Sequence, residues 1–113
     1  MITTRTQTWF IYALVNPLND DEFYVGMTID PKDRLRGHIT RAKNKTLKQY
    51  ASGYYIRVLF ERGIKPEIRV IESIETSVCS DDVIRANRRE KEVIREYKKL
   101  GKAWTNDPRT CME

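Results

Sequence analysis

Hydrophobic and polar positions along this chain switch period several times, and each switch marks an element. Thr8 to Val15 reads TWFIYALV, a run of aromatic and β-branched residues that predicts a strand. Asn16-Pro17-Leu18-Asn19-Asp20 is a turn cluster, and Glu22 to Met27, EFYVGM, predicts a second strand, so the two form an antiparallel hairpin. A turn centred on Leu18 would set Tyr12 directly opposite Tyr24; a one-residue slip would put them on different faces. Asp30-Pro31 opens a helix, with Asp as N-cap and Pro in the first turn, that runs to Ala42 or Lys43. Leu35, Ile39 and Ala42 form its apolar stripe, and Arg34, His38 and Arg41 follow one shoulder of it. A second helix is predicted from Leu47 to Arg62, with Ala51, Tyr55, Val58 and Leu59 inward and Gly63 as its C-cap before Pro66. Glu67 to Ile74 reads as a third strand, and residues 76–81 as a polar loop with Ser80 or Asp81 as the next cap. The last helix is predicted from Val83 to Leu100, ending at Gly101, before a short tail with Trp104, Asn106 and Pro108. The predicted fold is a single α/β (α+β) domain spanning residues 1–113, core about 8–106, in the order β-β-α-α-β-α.

Composition narrows the class. Of the 113 residues 40% are hydrophobic and 33% charged, which suits one modest core and excludes a disordered chain. No apolar stretch is long enough to span a bilayer, and MITTRTQTW lacks the order of a secretory leader, so no membrane association and a cytoplasmic location are expected. Cys79 and Cys111 are too few for a disulfide framework and read as free thiols.

Charge adds a direction. The net charge is +5, yet residues 30–48 and 85–102 each carry a local +5. Lys32, Arg36, Arg41, Lys43, Lys45 and Lys48 in the first segment, and Arg88 and Arg89 in the second, are candidate contacts for a nucleic-acid backbone, since clustered cations attract phosphates. Two solvated helix faces would give the same pattern.

One residue breaks the apolar stripe of the last helix. Ala86, Val93, Ile94, Tyr97 and Leu100 form its apolar stripe, with Glu90 in the middle. A carboxylate there needs a paired Arg or Lys, an exposed edge, or a bound cation. Arg34 and His38, four residues apart, present a cation and a titratable ring to one point. The chain lacks phosphate-loop, dinucleotide and zinc-protease motifs, so those chemistries have no support.

Taken in order, Phe10-Ile11-Tyr12, Tyr24-Val25-Gly26, Arg34 with His38, Glu90 with Ile94, and Asn106 resemble the GIY-YIG nuclease domain over nearly the whole chain. The run YVGxTxDPxxRLxxH is specific as a set. The resemblance implies a small three-stranded antiparallel sheet flanked by helices, and an endonuclease hydrolysing phosphodiester bonds in DNA with one divalent ion, Mg²⁺ or Mn²⁺. It implies that Tyr12 and Tyr24 flank the attacking water, Arg34 holds the phosphate, His38 fills a Tyr-or-His position, Glu90 ligates the metal, and Asn106 serves near the domain's end. Candidate targets are branched or damaged DNA, or DNA of a phage or mobile element, with a homodimer or partner subunit needed to cut both strands. Phe10 and Met27 depart from the usual glycine and lysine, with Lys32 or His38 as candidate substitutes for that lysine. A binding module of the same fold without strong catalysis is the alternative.

Overall fold

The computed structural model describes residues 6–44, 51–77 and 80–106. Strands β1 (Thr6–Asn16) and β2 (Asp21–Thr28) precede helices α1 (Pro31–Lys43) and α2 (Ala51–Glu61), then strand β3 (Glu67–Ser77) and helix α3 (Ser80–Lys99). The expected β-β-α-α-β-α order and antiparallel sheet are therefore present, with β1 in the centre and β2 and β3 on the edges.

The sheet buries both faces. Ile11, Ala13, Val15 and Val25 meet Val93 and Ile94 of α3 on one face. Tyr12, Leu14 and Phe23 meet Ala42 of α1 and Ile56 and Leu59 of α2 on the other. Alternation along β1 supplies both sets, since successive side chains of a strand point to opposite faces.

The hairpin differs from expectation in register. Tyr12 lies opposite Gly26, and Tyr24 opposite Leu14. The turn takes all four residues from 17 to 20, with Asp20 in the left-handed region at φ 60°, so Asn16 pairs with Asp21. A bulge at Phe23 then inserts one more residue. Turn and bulge together shift the pairing by two, which keeps both tyrosines on one face but sets them diagonally.

Asp30 caps α1 as expected, its carboxylate accepting from the Asp33 N–H at 3.2 Å. Helices α2 and α3 both end in Schellman turns. Gly63 and Gly101 sit at φ 73° and 78°, and Ile64 and Lys102 donate their N–H groups to Leu59 and Tyr97. Several boundaries and stripes are corrected. The third strand runs on to Ser77, and α3 already begins at Ser80, so neither Ser80 nor Asp81 stands ahead of the helix as a cap. The inward face of α2 is Ile56 and Leu59, with Tyr55 packed against the same core as expected; Ala51 and Val58 are exposed, as is Leu100 beyond α3. The predicted start of the second helix at Leu47, Lys45, Lys48, Cys79, Pro108 and Cys111 lie outside the described residues.

The chain then folds back along the free edge of β2. Ala103 N–H donates to Glu22 C=O at 2.8 Å, and Thr105 N–H to Phe23 C=O at 3.1 Å. Asn106 completes the edge, its Oδ1 accepting from Val25 N–H and its Nδ2 donating to Val25 C=O, each at 2.8 Å. No helix among the described residues is long and apolar enough to cross a membrane.

Candidate active site

At this β2 edge α1 arrives from one face of the sheet and α3 from the other. A cleft of about 760 Å³ opens between them, lined among others by Tyr24, Arg34, His38, Glu90, Trp104 and Asn106. Five of the six expected site residues thus border one space.

The sixth, Tyr12, lies beneath it, with no solvent exposure. Its hydroxyl is 2.8 Å from His38 Nε2 and accepts from Arg34 Nε at 3.4 Å. With the ring hydrogen on Nδ1, Tyr12 donates to Nε2; with it on Nε2, Tyr12 accepts. The three rings pack edge to face or tilted, with centroids 6.3 Å apart for Tyr12–Tyr24 and 5.1 Å for Tyr24–His38. Gly26 makes this possible. A Cβ at this position would lie 2.5 Å from the Tyr12 hydroxyl oxygen and 2.9 Å from a ring carbon of Tyr24.

Electrostatics assign protonation states. Burial, then the neighbouring Tyr24, pushes the Tyr12 phenol up. Burial, then Glu90, does the same to Tyr24, so both stay protonated at neutral pH. Burial, then the Arg34 guanidinium, lowers His38 to about 4 and leaves it neutral. Arg34 is held charged chiefly by its hydrogen bond to Tyr12. Burial raises Glu90, with Lys91 and Arg34 opposing.

His38 carries a pH prediction. Its folded value is below its ordinary 6.5, so the unfolded chain binds the extra proton first as pH falls. Stability from this group is complete above pH 6.5 and is lost as pH drops through about 4. The loss comes to about 3 kcal/mol at 1.36 kcal/mol per unit. Urea midpoints between pH 7.5 and 4 should fall further in the parent chain than in His38→Asn.

Glu90 makes no ion pair or hydrogen bond with any described residue. No group of three His, Cys, Asp or Glu side chains forms a metal cage among the described residues. One partly buried carboxylate does not suit zinc, which takes three or four protein ligands. It does suit a hard cation that keeps most of its waters.

The basic candidates divide. Lys32, Arg36, Arg41 and Lys43 lie exposed on α1, and Arg36 and Arg41 border a shallow groove with Gly37 and Asn44 beside the cleft. Arg88 is exposed on α3. Arg89 is instead gripped by Glu72 at 2.9 and 3.1 Å and by Glu92 at 3.0 Å, tying α3 to β3. Met27, in the usual lysine's place, packs against the α3-side core, on the face away from Tyr12. Trp104 is the cleft residue whose role the sequence did not reveal; its signal was an aromatic side chain just past the Gly101 helix stop.

A three-stranded sheet with a polar, arginine- and carboxylate-bearing cleft at one edge defines a small α/β domain. The family model for the GIY-YIG catalytic domain matches residues 8–103, and the chain belongs to that family. Its function is accordingly of nuclease type. No curated protein and no solved structure gives a significant match.

Proposed function

We propose that this protein is a metal-dependent endonuclease that hydrolyses phosphodiester bonds in DNA. The observation that carries the reading is the convergence of Glu90, Arg34, Tyr24 and His38 on one cleft, from three separate elements. Glu90 is the residue that would hold Mg²⁺ or Mn²⁺, and the ion, when bound, supplies polarisation of the phosphate and stabilisation of the leaving oxygen. Arg34 keeps Nε on Tyr12, and the rest of its guanidinium, beside Tyr24, would meet phosphate oxygens and offset charge gathering on phosphorus. Tyr24, held protonated, orients the attacking water by hydrogen bonding. His38 is neutral and is the acceptor of the water's proton. Asn106 acts as a positioning residue, since both ends of its amide are spent on Val25, next to Tyr24. Lys32, Arg36, Arg41 and Lys43 on α1 and Arg88 on α3 hold the backbone without reading sequence. A single cleft cuts one strand, so a double-strand break takes two chains or two visits.

Binding without cleavage is the second reading, favoured by Met27, whose thioether cannot supply the cation of a lysine. Supercoiled plasmid with Mg²⁺ or Mn²⁺ separates the two. Nicked circles are expected from the parent chain, with Arg34→Ala slower by about 10²-fold or more. Salt-dependent binding with no nicking in either metal would leave the second reading standing.

A further inference from the structure

The cleft has an aromatic end that phosphate chemistry does not account for. Trp104 lines it and is 49% exposed, an unusual state for so large an apolar ring. The ring is nonetheless fixed. Its Nε1–H donates to Asp21 at 2.9 Å, and Tyr55 packs against it edge to face with centroids 4.9 Å apart. The backbone that aims it is strained: Ala103, with no solvent exposure, sits at φ 50°, in the left-handed region that disfavours a Cβ. That strained turn carries the chain from α3 onto the β2 edge and leaves Trp104 standing at the mouth of the cleft.

Resting on the endonuclease reading, we infer that Trp104 is a base-stacking platform, and that the substrate is a strand with an unpaired base beside the scissile phosphate. The base is the one flat, weakly hydrated part of a nucleotide, and a held indole with an open face is its natural counterpart. In an intact duplex both faces of each base are covered by neighbours, so a base reaches Trp104 only from a single strand, flap, branch or unpaired bulge. A rigid platform adds affinity without ordering cost, because the ring is already held by Asp21 and Tyr55.

The test uses the full chain carrying Trp9→Phe, so that Trp104 is the remaining indole, and Glu90→Gln, so that nothing is cut. Oligo(dT) should quench Trp104 emission saturably, and a blunt two-stranded duplex of equal nucleotide count should bind at least several-fold more weakly with little quenching. Trp104→Ala should weaken oligo(dT) binding by roughly 5- to 100-fold, read by anisotropy, with Trp104→Phe recovering most of it. Binding by anisotropy that leaves the emission unchanged, or an equal loss for duplex and single strand in Trp104→Ala, overturns the inference. Complete absence of binding overturns it together with the endonuclease reading. Quenching in a protein whose Glu90-bearing parent never nicks DNA overturns the endonuclease reading alone.

Discussion

Glu90→Gln is expected to abolish DNA cleavage, by about 10³-fold or more, while leaving the fold as stable as before or more stable. The two signs follow from one fact. The carboxylate stands partly buried at the cleft with no ion pair or hydrogen bond among the described residues, and burial already raises its pKa. A neutral amide of the same shape removes the cost of keeping a charge away from water. It also removes the anionic oxygen on which a hard cation depends. A structural glutamate would behave oppositely: breaking a buried pair costs about 3–5 kcal/mol, because a lone charge is left behind. Plasmid nicking in Mg²⁺ and a urea midpoint on the same preparation check both signs. A midpoint that falls by an amount worth more than about 1 kcal/mol would mean that Glu90 is holding the fold together. Unchanged nicking would remove Glu90 from the chemistry altogether.

Gly26→Ala is expected to damage both fold and activity, although it adds only one methyl group. The new Cβ would stand 2.5 Å from the Tyr12 oxygen, 2.7 Å from its Cζ and 2.9 Å from Tyr24 Cε2. Neither ring can yield easily. Tyr12 is fully buried and bonded to His38 and Arg34, while Tyr24 is packed against both Tyr12 and His38. Overpacking of this kind costs about 1–3 kcal/mol. Displacing the bonded group by a few tenths of an ångström should slow cleavage by about 10²-fold. Gly37→Ala is the control. It lies on α1, no atom stands within 4 Å of where its methyl group would sit, and helix propensity alone should stabilise it by up to about 1 kcal/mol. Denaturation and nicking assays on the pair separate space from backbone preference; equal effects would remove the claim that Gly26 is there for room.

Much of this was legible in the order of residues. The strand-turn-strand opening, the Asp30-Pro31 helix start and the glycine stops at 63 and 101 are local signals, and the structure keeps them. The spacing of Tyr12, Tyr24, Arg34, His38 and Glu90 identified the family because each falls on an element whose type the local pattern also predicts. What was not legible depends on counting across space. The hairpin register needed both the length of the turn and the bulge at Phe23, and neither has a unique local signature. The meaning of Gly26 was hidden with it, since only the true pairing puts it under the Tyr12 ring. Arg89 read as a free cation because its partner Glu72 is on another layer of the fold. Asn106 was placed by resemblance, but its grip on both backbone atoms of Val25 is a contact between residues 81 positions apart.

That last contact has a temporal side. The cleft takes one wall from a strand made early and another from a segment made much later, and the later segment is stitched to the strand's edge by backbone bonds. A nascent polypeptide at its hundredth residue has the strand β2 but not the segment 103–106 that bonds to its edge. That wall of the cleft is therefore the last part of it to be made.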